Sequence, residues 1–183
     1  LPSGLMMPEK ALWFGVALSL LGVFYLMWKV NLLTCLLGAL TLGLYLCVYT
    51  PLKRLTVWNT LVGAVPGALP PLMGWTASTG SLGAGGWSLF LILFLWQMPH
   101  FLAIAWMYQD QYEQAGYCMM PHVDPKGILT TRHALAYALL LLPISLAPVY
   151  FETAGWVYGA AALILGLGFV WQSCRFCAVI DRS

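Results

Sequence analysis

Charge is what this chain has least of. Only 8% of its 183 residues are Asp, Glu, Lys or Arg, and six of them are acids. A soluble domain carries about 25% charged residues, so a water-facing surface cannot be assembled from a composition that is 61% hydrophobic. The net charge is +2, and the basic residues are scattered rather than gathered into a stripe. That gives nucleic-acid binding no electrostatic footprint. The five cysteines (Cys35, Cys47, Cys118, Cys174 and Cys177) are odd in number. Cys174-Arg175-Phe176-Cys177 lacks a second pair or a nearby His, so it is weak ground for zinc or redox chemistry. The thiols read as small packing hydrophobes. No fixed-period repeat is apparent. No basic, apolar and small-residue leader opens the chain, which begins Leu1-Pro2-Ser3-Gly4 and reads as the middle of a longer protein.

What fills the space is long apolar runs. Segments 11–28, 31–49, 58–77, 86–107, 133–150 and 155–172 are free or nearly free of charge. Each is about the 20 residues that cross roughly 30 Å of hydrocarbon as a helix. The expected fold is therefore an all-α, polytopic transmembrane helical bundle of six spans, forming one domain over 1–183. Eight of the nine tryptophans lie at the ends of these runs, where indole rings prefer the headgroup level. Lys10, Lys53, Arg54, Lys126, Arg132, Arg175 and Arg182 fall on one side of such a bundle, and Lys29 alone on the other. Positive charge stays inside, so both ends are expected on the cytoplasmic or matrix side of a multi-pass membrane protein. The short loops favour a bacterial plasma membrane over a mitochondrial inner membrane.

The third run holds Gly63-Ala64-Val65-Pro66-Gly67-Ala68-Leu69-Pro70-Pro71. Each internal proline removes a backbone donor and clashes with the carbonyl one turn back. This stretch is expected to be a broken helix lining a polar cavity. The alternative is a kinked helix whose small residues let neighbours approach.

Three polar clusters fall on the inner side. In Tyr49-Thr50-Pro51-Leu52-Lys53-Arg54, Pro51 is expected to turn the chain out of its span. Lys53 and Arg54 then offer an ammonium and a guanidinium suited to phosphate oxygens, with Asn59 just beyond. A simple topological anchor is the plainer reading of the two cations. In Trp96-Gln97-Met98-Pro99-His100-Phe101, His100 lies about 10 Å below the end of its run at helical rise. A buried imidazole there is structural, a proton carrier or an iron ligand. In Asp110-Gln111-Tyr112-Glu113-Gln114-Ala115-Gly116, a helix puts Asp110 and Glu113 on one face. Their hard oxygens suit Mg²⁺ bound with a diphosphate; a solvated helix end is the alternative. Tyr117-Cys118-Met119-Met120-Pro121-His122 is soft enough to pack over a flat ligand, or merely closes a loop.

Taken together, these strings resemble the heme O synthases (protoheme IX farnesyltransferases) among the UbiA-type intramembrane prenyltransferases. The resemblance rests on Tyr49 to Arg54, Asn59-Thr60, Val62-Gly63-Ala64, Gly67-Ala68, Pro70 to Trp75, Trp96 to Phe101, and Tyr112 with Ala115-Gly116. It covers most of 1–121, with a weaker helical continuation to Ser183. It implies a nine-span helical fold, of which this chain would be a fragment incomplete at both ends. Leu1-Pro2-Ser3-Gly4 is similar to the segment just after the family's first acidic motif, which would lie upstream. The implied reaction moves the farnesyl group of farnesyl diphosphate to a vinyl group of heme b, giving the hydroxyethylfarnesyl chain of heme O for heme-copper oxidases. Mg²⁺ is the implied cofactor. A downstream heme A synthase or oxidase assembly factors are implied partners beside the lipid bilayer.

Carried onto this sequence, Lys53 and Arg54 would grip the diphosphate, with Asn59 and Tyr49 nearby. Asp110 would help hold Mg²⁺, and Glu113, an acid the family motif does not require, would be the compensating second ligand. Tyr112 would contact the diphosphate or face the allylic cation, and His100, beside Trp96 and Gln97, would be a heme-side group. Gln111 stands where many relatives carry a second acid, which weakens the implied metal loop. Two other classes stay open on the residues alone: a transporter with paired interrupted helices, and a non-catalytic heme-handling assembly subunit.

Overall fold

The computed structural model describes residues 7–180; Leu1 to Gly4 and Arg182 lie outside the described residues. The chain runs through α1 (Pro8–Lys29), α2 (Leu32–Gly43), a π-helical segment (Leu44–Tyr49) and α3 (Thr50–Leu52). Then come α4 (Asn59–Thr79), α5 (Ala84–Met107), α6 (Gln109–Gln114) and α7 (Met120–Val123). It ends in α8 (Ile128–Ile144), α9 (Ala147–Tyr150) and α10 (Trp156–Ile180). Each long helix packs chiefly on its neighbours in sequence, α1 on α2, α2 on α4, α4 on α5, α5 on α8 and α8 on α10.

Five stretches among the described residues are long and apolar enough to cross a membrane: Pro8–Lys29, Leu32–Leu52, Ala84–Met107, Ile128–Tyr150 and Trp156–Ile180. The expected count of six is corrected to five by that measure. The odd one out is α4, which is 21 residues long. Its Asn, Thr, Gly and Pro content makes it less apolar than its neighbours. It is also well enclosed, with Ala64, Ala68 and Leu72 at 0% exposure. A helix wrapped in protein needs no greasy surface of its own. The outer helices show the reverse: α1 has no buried residue, and α10 buries only Gly166 and Ser173. Leu12, Phe14, Ile164, Leu165 and Trp171 stand exposed on them, as lipid-facing side chains do.

The third run is not a broken helix. Pro66, Pro70 and Pro71 all sit inside continuous α4. Small neighbours let α2 and α5 close in around it, and packed surroundings tolerate freed carbonyls in such helices. A buried polar pair joins it to α2, where the Thr34 and Thr76 hydroxyls lie 2.8 Å apart. Asn31 adds a second tie, its Nδ2 donating to the Thr76 carbonyl at 2.8 Å. Pro99 likewise lies inside unbroken α5. The paired interruptions that a transporter would need are therefore absent among the described residues.

Nor does Pro51 turn the chain away. The span continues through it to Leu52 because the preceding turns widen to π geometry. The Thr50 N–H bonds the Tyr45 carbonyl five residues back, and the Thr50 hydroxyl donates to the same oxygen at 2.8 Å. A proline lacks the donor a regular helix would require, and one widened turn absorbs that loss. The long connection after α5 is also more ordered than the sequence suggests: α6 and α7 occupy it, and α8 already starts at Ile128. Asp124 fixes that start, its Oδ2 accepting from the Thr130 N–H (2.7 Å) and hydroxyl (2.9 Å). Trp75 departs from the headgroup pattern: its ring is packed against Gly83 and Gly86, and its Nε1 is buried without a partner among the described residues.

Candidate active site

Two adjoining cavities open where the π-helical segment, the start of α4 and the end of α5 meet the α6–α7 connection. The first, of ≈330 Å³, is polar and lined by Asp110, Tyr112, Glu113, Tyr117, Met119 and His122, among others. The second, of ≈240 Å³, runs down between the helices and is mostly apolar. Tyr45, Tyr49, Gly63, Gly67, Gln97, Phe101 and Ile104 are among its walls. Tyr112 and Met119 line both, so they form the partition between a polar rim and a greasy chamber.

The π-helical segment sets one wall. Tyr45 and Tyr49 are four residues apart on it, with ring centroids 5.2 Å apart. The Tyr49 ring lies so close to α4 that a Cβ at Gly63 would sit 2.5 Å from it. One turn along α4, the Gln97 carboxamide presses on Gly67 in the same way. These two glycines are the seats on which the chamber walls rest.

Lys53 stands over this wall. Its Nζ is 4.5 Å from the Tyr49 ring centroid, 5.8 Å from Tyr45 and 5.9 Å from Tyr117. Cation–π attraction of this kind is worth about 0.5–2 kcal/mol per contact. It holds a half-buried ammonium against rings that line the cavities, though Lys53 itself lines neither, and no carboxylate among the described residues pairs with it. Tyr117 in turn lies 6.2 Å from Tyr112.

Asn59 holds the two inner loops together. It is fully buried, and its Nδ2 donates to the Thr56 and Cys118 carbonyls, both at 2.6 Å. Beside it, the Cys118 N–H donates to the Lys53 carbonyl at 2.8 Å. This stitching brings Tyr117 to Lys53. Asn59 lines neither cavity, so the structure places it behind the site rather than against a ligand.

The expected residues thus divide. Asp110, Tyr112 and Glu113 line the first cavity and Tyr49, Tyr112 and Gln97 the second, whereas Lys53 lines neither and reaches them only through its contacts with Tyr45, Tyr49 and Tyr117. Arg54 is exposed and lines neither cavity; its carbonyl accepts the Cys118 thiol at 3.4 Å. His100 is not buried as expected. It lies on the exposed side of α5, stacked on Trp96 with centroids 4.9 Å apart and planes at 15°. Helical periodicity explains this: Gln97, Phe101 and Ile104 face the chamber, which turns Trp96 and His100 outward.

Asp110 and Glu113 share the rim of the first cavity, and Glu113 lies 3.8 Å from His122 Nδ1. No group of three metal-binding side chains occurs among the described residues. Two carboxylates fit a Mg²⁺ that takes its other ligands from water and substrate phosphate, the usual habit of that ion. Tyr45 escapes the sequence reading, and Tyr117 and His122 enter it only as parts of a soft loop. The i, i+4 spacing of Tyr45 and Tyr49 is the one available signal for the aromatic wall.

A chamber of apolar and aromatic walls with acids at its rim, inside a bundle of helices apolar enough to cross a membrane, defines the class as an integral membrane protein with a cavity among its helices. The chain belongs to the UbiA prenyltransferase family, which it matches over residues 1–180. It is 49% identical over 175 residues to the protoheme IX farnesyltransferase of Solibacter usitatus, covering 96% of this chain and 60% of that protein. It is 53% identical over 176 residues to the protoheme IX farnesyltransferase of Salinibacter ruber, covering 96% of this chain and 62% of the relative. The chain therefore spans about three fifths of the length of these curated relatives. No solved structure matches it significantly.

Proposed function

We propose that the protein to which this chain belongs transfers the farnesyl group of farnesyl diphosphate to a vinyl group of heme b, forming heme O. The observation that carries this reading is the match of nearly the whole chain to two proteins named protoheme IX farnesyltransferase, on a chain whose cavities pair a charged rim with an apolar chamber.

The chemistry follows from the residues. The diphosphate head lies at the rim, where the Lys53 ammonium offsets its charge as the C1–O bond breaks. Mg²⁺ held by Asp110 and Glu113 would supply further neutralisation of the leaving group. The allylic cation then faces the Tyr49 and Tyr112 rings, whose π faces favour positive charge. Phe101 and Ile104 exclude bulk water that would quench it. The terminal vinyl carbon of heme b attacks C1. Arg54, exposed at the inner surface, meets the diphosphate only during approach. His100, stacked on Trp96 at the outer face of α5, is the group that a membrane-dissolved heme would meet. The rim side is cytoplasmic in a bacterial plasma membrane, and a heme A synthase or oxidase assembly factors take the product.

The test is direct. The protein at its natural length, in detergent or nanodiscs with farnesyl diphosphate, heme b and Mg²⁺, should yield a farnesylated heme and free diphosphate. Absence of any prenylated heme, with substrate and protein intact, refutes the reading.

A further inference from the structure

We infer that Gln97 is a catalytic residue that holds the water molecule which ends the reaction, an assignment that rests on the farnesyl transfer proposed above. Among the described residues lining the apolar chamber, Gln97 is the only polar one that is buried, at 6% exposure. Its two amide atoms are in different situations. Nε2 donates to the Leu93 carbonyl at 3.1 Å, and only a donor can satisfy a carbonyl. That bond fixes the orientation of the amide and directs Oε1 across toward Gly67. Oε1 has no hydrogen-bond partner among the described residues, yet it is not sealed from the chamber. A buried carboxamide oxygen left open to a greasy cavity is costly unless something in the cavity donates to it.

The reaction needs such a donor at one step. Attack by the terminal vinyl carbon on farnesyl C1 forms a C–C bond while the C1–O bond breaks, and the diphosphate leaves with the electron pair. Positive charge remains on the vinyl carbon next to the macrocycle. It has two fates: it loses a proton from the adjacent CH₂ to give an alkene, or it takes a water lone pair to give the hydroxyl of heme O. In the second case the added water loses one proton, which passes to the departed diphosphate. A chamber that excludes bulk water reaches that outcome only if it keeps one water in place.

An acceptor is the right group for this. Water that donates to Oε1 keeps its lone pairs free to attack, and its O–H bond to Oε1 strengthens as the oxygen becomes positive. A lysine or amide N–H would occupy the lone pair instead. The level is also suitable. Lys53 stands over Tyr49, which packs at Gly63, and Gln97 packs at Gly67. Those glycines are one turn apart, about 6 Å along α4, so the amide lies one step deeper than the aromatic wall. Gly67 is part of the device, because a side chain there would displace Oε1.

The experiment compares the unaltered protein at natural length with Gln97→Leu, Gln97→Met and Gln97→Glu, using farnesyl diphosphate, heme b and Mg²⁺. The heme products are weighed by mass spectrometry. Leu and Met remove the acceptor at similar volume, and either one suffices if the other fails to fold. Both should still release diphosphate and form the C–C bond, with the ratio of alkenyl product (lighter by one water) to hydroxylated product rising about tenfold or more. Glu keeps an acceptor oxygen and should restore hydroxylation. A purely structural Gln97 would lower the yield of all products together without changing their ratio. An unchanged ratio in the Leu and Met variants overturns this inference alone. Absence of any prenylated heme from the unaltered protein overturns the proposed transfer as well.

Discussion

Replacing Asn59 with Ala should loosen the site without touching a ligand. The side chain is fully enclosed and spends both amide hydrogens on the Thr56 and Cys118 carbonyls. Thr56 keeps a second partner, the Asn59 N–H at 3.2 Å, so its carbonyl is not orphaned. The Cys118 carbonyl loses its side-chain donor. Asn59 Oδ1 has no partner among the described residues, so its removal breaks no hydrogen bond there. One stranded, part-buried carbonyl and two lost hydrogen bonds amount to about 2 kcal/mol. That strain falls on the link between the two inner loops rather than on the α4–α5 core. It should appear as local opening, and about 2 kcal/mol corresponds to roughly a thirtyfold change in an opening equilibrium. Hydrogen exchange at the Cys118 amide, which donates to the Lys53 carbonyl, should therefore accelerate by about that factor. KM for farnesyl diphosphate should rise more than KM for heme, because Lys53 loses its fixed place beside Tyr117. Unchanged protection at Cys118, or equal movement of the two KM values, would refute the reasoning.

Other consequences are as direct. Gly63→Ala drives a methyl into the Tyr49 ring and should cost about 1–3 kcal/mol of overpacking, narrowing the chamber; stability by denaturation and kcat/KM should fall together, and a neutral variant would mean that the ring is loosely held. Asp110→Ala should abolish turnover while leaving membrane insertion and thermal stability unchanged, since the side chain is exposed and makes no ion pair among the described residues; retained turnover removes it from the metal site. His100→Ala should alter heme absorbance while leaving KM for farnesyl diphosphate unchanged, because the ring lines neither cavity; an unaltered spectrum takes His100 out of the acceptor's path.

The helices are legible in the sequence because lipid leaves a backbone few choices: long apolar runs must close their own hydrogen bonds. Where a run is partly polar the reading strains. Pro66, Pro70 and Pro71 suggest a break, yet α4 stays continuous because protein surrounds it on several sides, a tertiary fact that no local pattern carries. Pro51 misleads for a related reason, since a widened turn accommodates it. At the site, charges and aromatics can be picked out from sequence, and Tyr112 and Asp110 line one cavity while Lys53 stands against Tyr49 and Tyr117. Their arrangement cannot be read that way. The lysine cage needs Tyr117, which comes from a distant loop, and Asn59 reaches Cys118 only after both loops fold. His100 takes its expected role from its neighbours in sequence, whereas a 3.6-residue period turns it away from Gln97's chamber.

The central claim is that Lys53 and Asp110 act on one bound diphosphate from two sides of a shared rim. A double-mutant cycle tests it, measuring the affinity of a non-hydrolysable farnesyl diphosphate analogue with Mg²⁺ for the unaltered protein, Lys53→Ala, Asp110→Ala and the pair. The account predicts coupling, with the combined loss departing from the sum of the single losses by about 1 kcal/mol or more. Strict additivity would contradict it.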